Sequence, residues 1–494
     1  MYLGNFIKNL NRKYYKTYFS GIASNSKQVK KDNIFFAIKG KKFNGNKYIP
    51  DAIKKGAKII ISKSDIKLNH KNIIFLRNNN PRKLLAEISF KFIKKKPKNL
   101  IAVTGTNGKS SIANFYYQIL SLNRKKVATI GTLGVCSKEI KFDLSNTTID
   151  PIQLAQILKK LKNNKIDNVI LEASSHGLEQ NRLDGLNFNT GIFTNLSQDH
   201  LDYHKNLKDY LNAKLYLFRS LIKRKGNIIT DANITEFSQI KKIARKKFLK
   251  IYIIEGKNEK FKILKHSFND EFQIIKIKYK NNIIDLKINL IGKIQIKNIL
   301  MAVIAAQKSG VNLEKILSAI PFLKPVEGRF EKIGMIKNKS KVILDYAHTP
   351  DALKTCLLNL KEQFPNNKIN LLFGCGGNRD ENKRSKMGKI ADIFSDKIYL
   401  TDDNPRFENP DKIRKDIRVG IKRTKIIEIS NRAEAIAEAI KNLRIGELLL
   451  VAGKGHEKIQ HIGKRKIFFS DKKIILESIK SKNLALSSNL KLNI

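Results

Sequence analysis

Ile101-Ala102-Val103-Thr104-Gly105-Thr106-Asn107-Gly108-Lys109-Ser110-Ser111 sets the frame for the rest of this 494-residue chain. A short apolar strand runs into a glycine turn, and a lysine with two hydroxyl neighbours follows at a helix start. That order aims backbone N–H groups, the positive end of a helix dipole and an ammonium at one point, so an anion belongs there. The phosphate tail of a nucleotide is the anion expected. Val103 stands where the general P-loop pattern has its first glycine, which makes this loop a compact variant. A glycine turn that binds nothing would give no role to a lysine aimed into it.

Outward from the loop, the chain reads as three α/β domains. Lys94-Lys95-Lys96-Pro97-Lys98 punctuates the chain just before the loop and closes a small domain expected over 1–96. In that domain 33–38 and 57–61 read as strands and 49–56 as a helix. Over 97–323, strands at 100–103, 126–130, 168–172 and 190–194 alternate with helical stretches. Such alternation implies right-handed βαβ units and a site at the carboxyl ends of a parallel sheet. Residues 250–290 alternate apolar and charged side chains and read as an antiparallel patch appended to that sheet. A helix from about Ile296 to Ser309 stops at Gly310. From 324 to 494 the pattern restarts, with five strands at 341–345, 368–373, 397–400, 425–429 and 447–452. A Rossmann-like sheet is expected there, with a frayed tail beyond Ser481.

Net charge is +54, from 97 basic and 43 acidic side chains, which invites a nucleic-acid reading. The excess is mostly lysine, scattered through every region with abundant Ile and Asn, as a bias toward A- and T-rich codons would leave it. No single basic face emerges, so no nucleic-acid partner is expected. Hydrophobic content of 41% fills real cores, but no apolar run approaches membrane-spanning length, and no membrane insertion is expected. The N-terminus lacks the sustained apolar core of a signal peptide. Cys136, Cys356 and Cys375 show no metal or redox spacing. A cytoplasmic monomer is the expectation.

Three groups of residues carry chemistry. Glu172 ends the strand at 168–172 and is placed to hold Mg²⁺ on a bound nucleotide, with the Ser110 hydroxyl as a second ligand. Asp199-His200-Leu201-Asp202-Tyr203-His204 follows the next strand, and the neutral imidazole of His200 suits a divalent ion. In the last domain three strand ends are followed by Gly374-Cys375-Gly376-Gly377-Asn378-Arg379-Asp380, by Thr401-Asp402-Asp403-Asn404-Pro405-Arg406 and by Ala452-Gly453-Lys454-Gly455-His456-Glu457. That edge suits a zwitterion: Arg379 and Arg406 can clamp carboxylates, and Asp403 and Glu457 can hold ammonium groups. Lys214 is one lysine among many on these grounds.

These motifs, with Glu172 to Gly177, Asn195 to His204 and Asp345-Tyr346-Ala347-His348-Thr349-Pro350, resemble those of the Mur ligases, which build the peptide of peptidoglycan. The resemblance runs in family order from about residue 20 to 471. It implies an ATP-dependent amide ligase with Mg²⁺ as cofactor. ATP would phosphorylate the D-glutamyl γ-carboxylate of UDP-N-acetylmuramoyl-L-alanyl-D-glutamate, and an amine would attack the acyl phosphate. The resemblance gives the ATP site as Gly105, Thr106, Asn107, Gly108, Lys109, Ser110 and Ser111, with Asn298, Arg329, Asp345 and His348. Lys109, Glu172, His200 and Lys214 become the catalytic set. Ser110, Glu172 and His200 ligate metal, and Lys214 carries a carbamate. Ser26, Thr147, Thr148, Ser174, Gln180 and Arg182 would hold the UDP-muramoyl dipeptide. The tetrapeptide Asp403-Asn404-Pro405-Arg406 marks members that take meso-2,6-diaminopimelate, with Arg379, Gly453 and Glu457 completing that pocket. The physics agrees, because diaminopimelate differs from lysine by one carboxylate, which needs a cation.

Asn25-Ser26-Lys27 replaces the usual Asp-Ser-Arg, Ile149 and Ser385 stand at usual prolines, and Ser110-Ser111 replaces Thr-Thr. Sister ligases for lysine, D-Ala-D-Ala or folate are the competing enzymes. A nucleotide-binding regulator and a nucleic-acid binder are the competing classes. Neither needs Glu172, His200 and Lys214 together with a zwitterion pocket.

Overall fold

In the computed structural model the strands Gly21–Ala23, Asn33–Ala37, Ala57–Ser62 and Ile74–Arg77 pair in chain order as an all-parallel sheet. The structure describes the chain except residues 9, 41–42, 66–69, 71, 94, 257–259, 270–271, 280 and 493–494, and side chains up to 486. Lys94 of the basic run and parts of 250–290 lie outside the described residues. In this sheet Ile34 and Phe36 enter one apolar cluster while Phe35 and Ala37 enter another, because strand side chains alternate between faces.

The phosphate-loop strand, Asn99–Thr104, lies in the middle of an eight-stranded sheet. The order is Lys250–Ile253, Ile222–Thr230, Phe188–Phe193, Asn99–Thr104, Asn168–Glu172, Val127–Gly131, Gly134–Cys136, Lys141–Phe142. The first six are parallel and the last two antiparallel. Leu100 and Ala102 pack on one face, Ile101 and Val103 on the other, so this strand is buried on both sides as a central parallel strand must be. Three strands beyond the expected four extend the sheet at its ends as short or polar edges, and Ile222–Thr230 also joins it.

The segment 250–290 differs from the expectation. Lys250–Ile253 pairs in parallel with Ile222–Thr230, whereas Lys262–Phe268, Gln273–Tyr279 and Asn282–Ile288 form a separate three-stranded antiparallel sheet. Its inner residues Ile275, Ile277, Leu286 and Ile288 join the cluster beneath helix Ile294–Lys308. The patch has a single apolar face and packs onto the domain through it, and among the described residues its strands pair only with one another.

The last sheet runs Glu331–Met335, Lys341–Asp345, Leu448–Ala452, Ile369–Phe373, Lys397–Leu400, Lys425–Glu428. All five expected strands are parallel, and Glu331–Met335 adds an antiparallel edge. Helices in all three domains begin alike, with Asn80, Asp150, Thr349 or Asn409 accepting from the backbone ahead of Pro81, Pro151, Pro350 or Pro410. The tail beyond Ser481 does not fray over its described length: helix Asp471–Leu492 continues through it. Lys482 donates to the carbonyls of Ile440 at 2.9 Å and Lys441 at 3.0 Å, at the C-terminus of helix Arg432–Lys441. Ile475, Ile479 and Leu486 pack on the apolar cluster below. Among the described residues no helix is long and apolar enough to cross a membrane.

Candidate active site

Gly105 and Gly108 have φ of +147° and +86°, a backbone region that side chains rarely occupy. A Cβ on Gly105 would sit 1.8 Å from Thr194 Oγ1, and one on Gly108 2.8 Å from Asn298 Oδ1. Gly108 caps helix Lys109–Leu122 without a side chain, so the first N–H groups of that helix stay available to an anion. Lys109 Nζ meanwhile donates to Gly105 O at 2.8 Å and Thr106 O at 2.7 Å. Burial lowers its affinity for its proton, while Glu172 and Asp199 act in the opposite sense.

The strand order puts Glu172 on the neighbour of the phosphate-loop strand. It is 3% exposed and accepts from Ser110 Oγ at 3.0 Å, Thr132 N at 2.9 Å and Thr132 Oγ1 at 3.1 Å. Gly131 must lack a side chain here, because its Cβ would lie 2.3 Å from Glu172 Oε1. A hydroxyl and a carboxylate meeting at 3.0 Å form a hard-oxygen pair that fits Mg²⁺. Among the described residues no three His, Cys, Asp or Glu side chains converge as a metal site, so ligand oxygens would have to complete the shell.

His200 has a φ of +55°, and its Nε2 lies 3.3 Å from Asp199 Oδ2. Burial pushes the imidazole well below its ordinary range, keeping it neutral as metal binding requires. The same Asp199 oxygen is 3.8 Å from His348 Nε2 of the last domain. Burial opposes the ionisation of Asp199, yet His348, His200 and Lys383 hold it below the usual carboxylate range. Lys214 is 1% exposed, with Nζ 4.2 Å from the Tyr210 ring centre. Burial first, and then Lys109, drives its proton affinity far down, with Asp199 acting in the opposite sense.

The last domain supplies the opposite wall. Arg329 Nη2 reaches Ser110 Oγ at 3.4 Å, and its guanidinium covers the Tyr346 ring at 4.2 Å. Asp345 accepts from Phe330 N at 2.6 Å, and burial raises its carboxyl. His348 Nδ1 lies 2.8 Å from Tyr346 O. The loop, Ser110, Ser111, Thr147, Glu172, Ser174, His200, Lys214, Asn298, Arg329, Asp345 and His348 all line one cavity of about 260 Å³.

A second cavity, of about 160 Å³, opens beside the first and shares Asp199, His200, Tyr346 and His348 with it. Its far wall comes from three neighbouring strand ends and carries Arg379, Asp403, Asn404, Arg406, Gly453 and Glu457. Glu457 accepts from Asn404 Nδ2 at 2.9 Å, Lys454 Nζ at 3.1 Å and Tyr346 OH at 3.2 Å. Asp403 is 7% exposed and its carboxyl is raised by burial, against Lys454 and Arg432. Arg406, at φ +57°, donates to Gly377 O at 2.8 Å and Asn404 O at 3.4 Å. Among the described residues it makes no ion pair with a carboxylate. Arg379 contacts Asp202 at 3.4 Å, across the domain boundary.

Ser26 lies at neither cavity; it is buried in the first domain, where its hydroxyl lowers the Asp51 carboxyl. Pro405 does not line the second cavity and instead turns its carbonyl toward Gly377. Thr148 bridges the end of the Glu172 strand to helix Ser175–Glu179, donating to Glu172 O at 2.8 Å and accepting from Ser174 N at 2.9 Å and Ser174 Oγ at 3.0 Å. Arg182 donates to Thr148 O and, at 2.8 Å, to Gln180 Oε1. Replacing Thr148 with valine is expected to destabilise the fold by about 1–3 kcal/mol, because it strands the buried Glu172 carbonyl and the half-buried Ser174 N–H. Urea unfolding reads that loss, and an unchanged midpoint would reject the bridge.

Sequence reasoning passed over Asp199, Tyr346 and Lys454 although they sat inside quoted motifs. It had no signal for Arg384 or Arg432. Arg384, fully buried, donates to both Glu408 oxygens at 2.6 and 2.8 Å and to Asp416 at 2.8 Å. Glu408 in turn accepts from Asn378 N at 2.9 Å, which ties together the loops bearing Arg379 and Arg406. Arg432 pairs with Asp471, both fully buried, and donates to Ala452 O at 2.9 Å behind Gly453.

Three family models match consecutive parts of the chain. They are Mur ligase family, catalytic domain, at 18–92; Mur ligase middle domain at 103–306; and Mur ligase, glutamate ligase domain, at 328–455. A relative from Rickettsia bellii strain RML369-C is 42% identical over 463 residues, covering 92% of this chain and 94% of its own. The chain belongs to the Mur ligase family. That relative, and one from Rickettsia prowazekii strain Madrid E at 40% identity over 94% of this chain and 97% of its own, are named UDP-N-acetylmuramoyl-L-alanyl-D-glutamate--2,6-diaminopimelate ligases. A solved structure of the same name matches this Mur ligase at 29% identity and a TM-score of 0.69, covering 96% of this chain and 97% of that one. MurF ligase from Thermotoga maritima in complex with ADP matches at 18% identity and a TM-score of 0.64, covering 94% of this chain and 98% of its own, and shares the three-domain fold.

Proposed function

We propose that this Mur ligase uses ATP to join meso-2,6-diaminopimelate to the γ-carboxylate of the D-glutamyl residue of UDP-N-acetylmuramoyl-L-alanyl-D-glutamate, in peptidoglycan precursor synthesis. It would act as a cytoplasmic monomer. One observation carries the reading: a phosphate-loop cavity and a pocket holding Arg406, which makes no ion pair among the described residues, share the wall Asp199, His200, Tyr346 and His348. The reaction needs a phosphoryl group and an incoming amine to meet at one carboxylate, and that wall separates their two sources.

In the first step a γ-carboxylate oxygen attacks the terminal phosphorus, the bond to the bridging oxygen breaks, and ADP leaves. The free N–H groups of helix Lys109–Leu122 and the Lys109 ammonium hold the phosphates and take up charge there. In the second step the amine attacks the acyl carbon, the carbon–oxygen bond to phosphate breaks, and the proton lost by the nitrogen leaves on the departing phosphate. Asp403 and Glu457 hold the ammonium of the amino acid's far end, and Arg406 takes its carboxylate. Mg²⁺ would be held by Ser110 and Glu172, with His200 and a carbamate on Lys214 for a second ion, and would supply charge neutralisation at the phosphates. The domains at 1–96, 97–323 and 324–494 would hold the uridine end, the nucleotide and the amino acid respectively.

The test supplies ATP, Mg²⁺ and the UDP-muramoyl dipeptide, and compares phosphate release with meso-diaminopimelate and with L-lysine. Release with the first and at least about tenfold less with the second is expected, since lysine leaves Arg406 without its anion. Equal turnover with both would sink the specificity; no release with either would sink the ligase.

A further inference from the structure

Arg82 belongs to no motif in the sequence, yet it joins two domains. It stands near the start of helix Pro81–Lys91 in the first domain. Its Nη2 donates to Lys39 O at 3.2 Å, and its Nη1 reaches Gln180 Oε1 in the central domain at 3.4 Å. The same Gln180 oxygen accepts from Arg182 Nη2 at 2.8 Å, and the Gln180 amide nitrogen donates to the Tyr203 hydroxyl at 3.1 Å. Two guanidiniums therefore converge on one amide oxygen, which carries only partial negative charge.

Among the described residues neither guanidinium makes an ion pair. Burial, and then the charge of Arg82, weakens the hold of Arg182 on its proton; Asp150 is the carboxylate acting the other way. The Asp150 side chain is already engaged as the cap of helix Pro151–Asn163, accepting from Ile152 N at 2.8 Å. For Arg82 the opposing influence is the Tyr203 phenol alone. Like charges brought together in a half-buried place without a counter-ion cost free energy, and an arriving anion removes that cost.

The position says which molecule brings the anion. Arg182 donates to the carbonyl of Thr148, whose neighbour Thr147 lines the nucleotide cavity. Beside the pair, Asn80 Nδ2 bonds Asn181 Oδ1 at 3.0 Å across the same domain boundary. Arg82 thus stands at the boundary between the first domain, to which the uridine is assigned above, and the central domain that carries the nucleotide cavity. We infer that Arg82, together with Arg182, binds an oxyanion of the sugar-peptide substrate, with Arg82 as the cation contributed by the first domain. The glutamyl α-carboxylate and the sugar diphosphate share this chemistry. The inference rests on the substrate assignment made above, and it adds a residue which that assignment lacked.

The full-length ligase with Arg82→Gln, and with Arg82→Lys beside it, tests this. The KM for the UDP-muramoyl dipeptide should rise by about tenfold or more in the glutamine variant and by less in the lysine variant. The KM values for ATP and diaminopimelate, and the melting temperature, should stay at wild-type values. With a dipeptide whose α-carboxylate is an amide, the variant's penalty should vanish if that carboxylate is the anion. With muramoyl dipeptide lacking UDP it should vanish if the diphosphate is. A penalty that survives both analogues, or a glutamine variant with unchanged KM, overturns the inference. Calorimetric titration of the dipeptide substrate gives the same comparison without turnover. Failure of the wild-type enzyme to release phosphate would instead overturn the ligase reading.

Discussion

Replacing Lys109 with alanine is expected to lower ATP-dependent phosphate release by at least about 10³-fold. Its ammonium is held at 2.8 and 2.7 Å by the loop's own carbonyls, Gly105 O and Thr106 O, and those are neutral acceptors. Glu172 and Asp199 favour the charged form against burial without forming an ion pair to it. The cation is thus kept in place and left unneutralised, which is what a site for a polyphosphate needs. When phosphate oxygens arrive, Nζ can exchange two carbonyls for them without leaving the loop. Alanine removes the charge and leaves the loop's glycine conformations as they are, so thermal unfolding should shift little while turnover collapses. Turnover within tenfold of wild type would reject Lys109 as the phosphate-holding cation.

Arg406→Ala is expected to cost about 2–4 kcal/mol in kcat/KM for diaminopimelate, roughly 30- to 1,000-fold. The guanidinium is anchored by Gly377 O and Asn404 O, and its left-handed backbone is fixed by Arg406 N donating to His461 O at 2.9 Å. A Cβ on Gly376 would fall 2.7 Å from Arg406 Nη1, so that loop has to be glycine for the arginine to lie across it. Arg384, buried against Glu408 and Asp416, holds the same loops from beneath. Everything around Arg406 fixes its direction, and no carboxylate among the described residues consumes its charge. Truncation leaves the incoming carboxylate desolvated without a partner, which is a larger loss than one hydrogen bond. The KM for ATP should be unaffected. An unchanged kcat/KM for diaminopimelate would reject the role.

How far the chain could be read in advance depended on how local each signal is. The phosphate loop, the alternation of strands and helices, and the five strands of the last sheet are short-range patterns. Two glycines at fixed offsets and a period of two in apolar residues carry their meaning within about ten residues. The antiparallel segment was legible as strands and misplaced as to partner, because alternation gives a strand one apolar face without saying which neighbour covers it. The order of the tail beyond Ser481 was missed because its hold comes from carbonyls some forty residues away, at Ile440, Lys441 and Leu443.

Lys214 marks the limit on the site. In sequence it is one of 97 basic residues. Only the packing that leaves it 1% exposed beside Tyr210, in the wall of the nucleotide cavity, sets it apart and lowers its hold on its proton. Arg384 and Arg432 gave no signal for the same reason: a surface arginine and one pinning a loop from below look identical until their carboxylates, Glu408 and Asp471, arrive.

The anion-binding loop at Gly105 to Ser111, the α/β class and the set of polar strand ends are written in the order of residues alone, because each depends on backbone geometry and side-chain type close along the chain. Only the folded chain shows that the loop's cavity and the second cavity share Asp199, His200, Tyr346 and His348, and that Arg406 makes no ion pair among the described residues. Those facts depend on which strands are neighbours in the sheet and on how the domains meet. Contacts across more than a hundred residues of chain set both, and no local pattern encodes them.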